Sequence, residues 1–270
     1  MSLLKRLNYK NRKYYDDDFD WENYTDDSYH RRLKNDIESK FLTIAGPDDL
    51  TFDRSTGILS TKDRGIHPNH SAILEVIGQL QPETVHEIGC GAGDHVANAN
   101  IVFPDIQTSG SDRGDSQIAL AQKRHPDLSD TFGVLDATMP YSRFWPRADL
   151  VYSQAVIMHV HTAVSHFVAL SNMFAMANKY VFLMENLQCH NFVSDIQNLH
   201  DGGHTSWETM YIYQFDGSTG ARGVLLSKEK LNYPALTSDA ELRKGLKFSK
   251  RRIKRSEQDS ERGIFGTKIC

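Results

Sequence analysis

Cysteine is scarce: the 270 residues contain three, Cys90, Cys189 and Cys270. None stands in a C-x-x-C pair and the count is odd, which disfavours a disulfide framework and a cysteine-built zinc module. Long hydrophobic runs are also missing. No stretch approaches the ~20 apolar residues of a membrane span. The opening MSLLKRLNYKNRKYYDDD lacks the apolar segment of a secretory signal. There is no surplus of positive charge either: 31 Lys and Arg face 35 Asp and Glu, a formal net charge of -4. A protein that mainly grips nucleic acid carries the opposite balance. These absences set the expectation of a soluble protein in a reducing, cytoplasmic setting.

What is present is a globular composition, 39% hydrophobic and 24% charged, on a chain long enough to bury a large core. No linker and no internal repeat interrupts it. The reading is one domain with decorations: an N-terminal extension or lid over 1–65, a central unit over 66–235 and a basic tail over 236–270.

The extension is basic from Lys5 to Lys13 and then acidic and aromatic, YYDDDFDWENYTDD. It reads as helical or irregular. It either folds over the body through Tyr14, Tyr15, Phe19, Trp21 and Tyr24 or stays solvated. From about residue 66 the pattern becomes regular. HPNHSAILEVIGQL has helical spacing, with Asn69 or Ser71 as its cap. TVHEIG, QTSGSD, DTFGVLDAT, ADLVYSQAV and KYVFLMEN read as five strands, with helices over DHVANANIVF, SQIALAQKRH and HTAVSHFVALSNMFAMA between them. Such alternation implies a parallel sheet with helices on both faces. ETMYIYQF and ARGVLLSK, joined through DGSTG, read as a hairpin that adds antiparallel strands.

The sharpest local signal is VHEIGCGAGDH, in which Gly89, Gly91 and Gly93 lie between a strand and a helix. Glycine permits the tight turn and close approach of a ligand to the backbone, and the following helix presents free N–H groups. A dinucleotide loop is usually G-x-G-x-x-G. Here Asp94 occupies the sixth position and Glu87 precedes the first glycine, which opposes a phosphate and suits a ligand carrying an ammonium group.

The string resembles motif I of the class I S-adenosylmethionine-dependent methyltransferases, E/D-x-G-x-G-x-G. The resemblance continues in order. SGSD closes the second strand at Asp112, VLDAT the third at Asp136 and Ala137, and ADLVYSQAVIMHVH resembles motif IV. It covers about residues 66 to 230. It implies a Rossmann-like α/β fold, a seven-stranded mixed sheet flanked by helices. It also implies that Glu87, Gly89, Gly91, Gly93, Asp112, Asp136 and Ala137 face S-adenosyl-L-methionine, Asp112 at the ribose and Asp136 with Ala137 at the adenine. His95 and Ser153 are further candidates. The product is then S-adenosyl-L-homocysteine.

Methyl transfer to a hydroxyl needs a positioned base. His159 follows the fourth strand and His190 the fifth, at the sheet edge where ligands bind, and these two are the catalytic candidates. A packing role for His159 is the alternative, and His166 reads as ordinary surface or core. His67, Asn69 and His70 line the pocket or simply open a helix. A metal set built from His159, His161, Glu185 and His190 is imidazole-rich where a hard ion prefers oxygen, so no metal is assigned. The expected acceptor is a sugar, glycan or other hydroxylated small molecule. An amine acceptor, an RNA or protein substrate and a non-catalytic cofactor binder are the alternatives. The absence of N-P-P-Y or D-P-P-Y after the fourth strand lowers the nucleic-acid reading. RKGLKFSKRRIKR, residues 243–255, holds eight basic and no acidic residues. It reads as a solvated tail balanced by the acidic N-terminal arm, or as a contact with an anionic membrane surface, a polyanionic substrate or RNA.

Overall fold

A computed structural model of the chain describes residues 40–160, 165–187, 190–218 and 221–246. The N-terminal aromatic segment, His161, Cys189 and most of the basic tail lie outside them.

Seven strands form one sheet: β3 (Thr84–Ile88), β4 (Gln107–Asp112), β5 (Phe132–Val134), β6 (Ala148–Gln154), β7 (Ala177–Asn186), β8 (Tyr211–Asp216) and β9 (Ala221–Ser227). Their order is β5-β4-β3-β6-β7-β9-β8. The first five are parallel neighbours, and β9 runs antiparallel to both β7 and β8. This is the Rossmann-like α/β fold with a C-terminal antiparallel hairpin that the motifs imply. DTFGVLDAT pairs over three residues only, and among the described residues β5 stands at the sheet edge with β4 as its strand neighbour.

The period of two along the central strands separates two cores. Val181, Leu183, Val224 and Leu226 point to the face covered by α4 (Ser165–Met176) and α5 (Phe192–Asp201). Phe182, Met184 and Leu225 point to the other face, with Ile73, Leu74 and Ile77 of α1 (Pro68–Leu80). Each such side chain, fully removed from water, contributes about 1.5–3 kcal/mol. Between β3 and β4 runs α2 (Asp94–Val102), and between β4 and β5 runs α3 (Asp115–Arg124).

Three features depart from the sequence reading. Part of the extension is a two-stranded sheet, β1 (Leu50–Asp53) with β2 (Ile58–Thr61), and its Leu50 and Leu59 join the α1 core. The cap of α1 is His67, whose Nδ1 accepts from Asn69 N at 3.2 Å, with Pro68 at the first helical position. Asn69, expected as the cap, instead accepts from Ser218 N at 2.7 Å and ties α1 to the β8–β9 connection. Residues 236–246, grouped by sequence with the tail, pack on the body: Leu236 and Leu242 are buried. Asp239, in the short α6 (Asp239–Leu242), accepts from Val193 N and Ser194 N and so caps α5.

Candidate active site

A cavity of about 440 Å³ opens at the C-terminal edge of β3, β4 and β6. Its wall is the turn after β3. Gly89 N and Cys90 N donate to Ser111 O of β4 at 2.7 and 2.9 Å, which folds the turn back over the neighbouring strand. Gly89, Gly91 and Gly93 all have left-handed φ, 71°, 52° and 79°. Gly89 and Gly91 line the cavity, whereas Gly93 does not. A Cβ on Gly93 would stand 2.6 Å from Phe132 Cζ, so this glycine admits the close packing of α2 against β5.

Glu87 is 1% exposed, and its Oε1 accepts from His95 Nδ1 at 2.9 Å. Its Oε2 is buried and makes no close hydrogen bond among the described residues, although the side chain interacts with the buried Tyr152 hydroxyl, whose pKa burial and the Glu87 charge raise well above its ordinary value. Burial opposes the charged form of His95, but the Glu87 carboxylate outweighs it and raises the imidazole pKa above its ordinary value. His70 packs its ring on His95, centroids 4.2 Å apart. Its Nε2 is buried and unpartnered among the described residues, and burial drives its pKa well down, so the ring stays neutral. His67, His70 and His95 all line the cavity.

Asp112 closes β4. Its Oδ2 accepts from Gly91 N at 3.1 Å and its Oδ1 from Gly114 N at 2.9 Å. Burial raises its pKa against those two bonds, with the charge of Glu87 adding to the rise. Asp136 and Ala137 line the far side of the cavity. Asp136 Oδ1 accepts from Thr138 N and Thr138 Oγ1, and Ala137 O accepts from Asn172 Nδ2. Burial also pushes the Cys90 thiol well up, with Glu87 and Asp112 adding to it, so it stays protonated beside the loop.

Asp94, held above to repel a phosphate, is committed elsewhere. It takes two bonds from Arg124, both 3.0 Å, and one from His125 at 2.9 Å. Its charge is compensated, so the argument against a phosphate ligand rests on Glu87.

The turn after β6, Ile157–His159, carries His159 to the cavity. Glu185 holds this turn from behind. Its Oε1 accepts from Ser153 Oγ, Val156 N and Ile157 N, and its Oε2 from Met158 N at 3.1 Å. Burial raises the Glu185 pKa despite these four donors. Ser153 and His190 are not among the cavity's lining residues. Ser153 is fully buried and serves Glu185. His190 bonds through Nε2 to Ile157 O at 3.1 Å and stacks on His166. The structure therefore leaves both off the cavity wall: Ser153, expected to face the cofactor, and His190, expected to serve the cavity as a base. Sequence reasoning missed Phe41, Leu42 and Thr43, which line the cavity mouth. Only proximity in the fold joins them to it.

No family model matches the chain, and no curated protein does. Solved structures do. The magnesium protoporphyrin IX methyltransferase of Synechocystis with bound SAM is 19% identical, over 58% of this chain and 76% of that one, with a TM-score of 0.43. DesVI of Streptomyces venezuelae is 10% identical, over 59% and 90%, with a TM-score of 0.45. The O-methyltransferase of a trans-AT PKS multienzyme of Brevibacillus brevis, in complex with S-adenosyl-L-homocysteine, is 21% identical over 39% and 36%, with a TM-score of 0.34.

Proposed function

We propose that the cavity binds S-adenosylmethionine and that the chain transfers its methyl group to a hydroxyl of a sugar, glycan or other small hydroxylated acceptor. The glycine turn flanked by the acidic side chains of Glu87 and Asp112 carries this reading, since two carboxyl groups at the cavity suit a ligand of opposite charge. The left-handed turn at Gly89 and Gly91 brings bare backbone beside it. Asp112 stands at the next strand end with its carboxylate oriented by two N–H donors. A carboxylate has about four acceptor sites, so Asp112 keeps capacity for a ribose diol. Asp136 and Ala137 are where an adenine edge is held.

When bound, the cofactor supplies an electrophilic methyl group on a sulfonium that departs as a neutral thioether. The chain's own work is orientation and proton removal. His159, presented by the Glu185-held turn, is the proposed base. His70, kept neutral by burial, is the proposed hydrogen-bonding partner for the acceptor. Imidazoles of this kind favour an oxygen acceptor, which must lose a proton, over a tertiary amine, which need not. Among the described residues no helix is long and apolar enough to cross a membrane, and nothing in the proposal requires nucleic acid.

A thermal-shift titration tests the cofactor part. A ligand that binds only the folded form raises apparent stability. S-adenosylmethionine and S-adenosylhomocysteine are expected to raise the melting temperature, and NAD to leave it unchanged. Stabilisation by NAD alone, or by none of the three, overturns the proposal.

A further inference from the structure

The most deeply buried carboxylate of the cavity wall is paired with a histidine that is far less buried. Glu87 is 1% exposed, whereas the side chain of His95, which meets its Oε1 at 2.9 Å, is 26% exposed. Both line the cavity. We infer that His95 is a positioning residue for the cofactor's amino-acid end: protonated, it is the counter-charge of Glu87 in the free protein, and the cofactor's ammonium displaces that charge, so that binding releases a proton to solvent. This coupling rests on the cofactor reading above.

The contact is built by the glycine turn. Glu87 lies next to the last residue of β3 and His95 in the first turn of α2, and the left-handed turn between them brings the two side chains together. A carboxylate oxygen only accepts, so Nδ1 of His95 donates to Glu87 whether the ring is neutral or charged. The proton that can come and go is the one on Nε2. Burial opposes it, but the charges of Glu87 and Asp94 outweigh burial, and the imidazole pKa is raised. When an ammonium is drawn to Glu87, two cations compete for one carboxylate. Loss of the Nε2 proton ends that competition, and the neutral ring keeps its bond to Oε1. Linkage is reciprocal, so protonation of His95 weakens the cofactor by the same factor.

The other groups around the pair do not take this part. From α1, His70 packs on His95 and is held neutral by burial, while burial and the nearby His95 lower the His67 pKa. Burial and the Glu87 charge raise the Tyr152 hydroxyl of β6 and the Cys90 thiol of the turn well above their ordinary values, so both stay protonated and uncharged. On α2, Asp94 is held by Arg124 and His125. At the end of β4, burial raises the Asp112 pKa while its N–H donors oppose the rise. Arg113, also on the cavity wall, keeps its charge throughout. Among the described residues around the pair, His95 is therefore the one whose charge changes near neutrality.

Calorimetric titration of S-adenosylhomocysteine into the full-length protein, repeated in phosphate and in Tris buffer, counts the protons exchanged, because the two buffers differ in ionisation heat. The expected result near neutral pH is release of up to about one proton per site, with affinity rising about tenfold from about pH 5.5 to about pH 7.5 and then levelling. 5′-Methylthioadenosine, which lacks the ammonium, is expected to show no such release. His95→Asn offers an amide N–H near the place of Nδ1 and does not titrate. It is expected to bind S-adenosylhomocysteine with no proton release and a flat pH profile. If the variant does not fold, the proton count and pH profile of the wild type decide. Binding without proton release, proton uptake, equal release with 5′-methylthioadenosine, or equal release by His95→Asn overturns the coupling and leaves the cofactor reading standing. Absence of S-adenosylhomocysteine binding to the wild type overturns both.

Discussion

Gly91 and Gly93 belong to one motif, yet alanine at each should fail in a different way. At Gly93, φ is 79°, and a Cβ would meet Phe132 Cζ at 2.6 Å, Phe132 Cε1 at 2.8 Å and Ala121 Cβ at 3.1 Å. The left-handed conformation costs an L-residue about 1–2 kcal/mol, and overpacking a dense core adds about 1–3 kcal/mol. Gly93→Ala should therefore lose about 2–5 kcal/mol, a large part of the ~5–15 kcal/mol that holds a domain folded. For a chain of this size the melting temperature should fall by about 5–15 °C. At Gly91, φ is 52°, and the new Cβ meets only Gln117 Oε1, at 3.6 Å. Only the conformational cost of about 1–2 kcal/mol applies, but the methyl group stands on the cavity wall. Gly91→Ala should stay folded and bind S-adenosylhomocysteine about tenfold more weakly, or about 1.4 kcal/mol. Thermal melts and calorimetry on both variants separate the two effects. A Gly93→Ala protein of normal stability that has lost its ligand would refute this division of the loop. So would a Gly91→Ala protein as unstable as Gly93→Ala.

Two further outcomes follow from buried groups. Glu185→Gln puts an amide where a carboxylate accepts four bonds. One donor is left facing N–H, at about 1–3 kcal/mol. Turnover should fall about tenfold or more while S-adenosylhomocysteine affinity stays near wild type, and an equal loss of both would contradict a role confined to the His159 turn. His86, held by Ser109 Oγ and Ser111 Oγ, is pushed down to about 4 by burial. As pH falls below about 6.5 the unfolded chain takes up this proton and the native state does not, so stability drops by about 3 kcal/mol between pH 6.5 and 4 and then levels. His95 has a raised pKa, so its contribution is intact in that window and is lost only at higher pH. Denaturant melts of wild type and His86→Gln should show a shallower pH slope in the variant, and identical slopes would contradict the assignment.

The parallel layer and the glycine turn were legible because their signals are local. Buried strands read as short apolar runs, and the motif residues sit at strand ends. What was hidden depends on partners far along the chain. Asp239 caps α5 across more than forty residues, and β1 with β2 gains its stability from α1 rather than from its own pattern. His190 and Ser153 were placed at the right edge of the sheet, but His190 bonds to the turn after β6 through Ile157 O and Ser153 donates to Glu185, and neither lines the cavity. His159, carried on that turn, reaches the cavity itself. Sequence position cannot distinguish the two sides of a turn.

The most direct test of the account is calorimetric titration of S-adenosylhomocysteine into wild-type protein and into Asp112→Ala. The account predicts one site in the wild type and affinity weaker by at least about tenfold in the variant, since Asp112 is the carboxylate that the turn orients toward the cavity. No binding to the wild type, or equal binding to both, would contradict it.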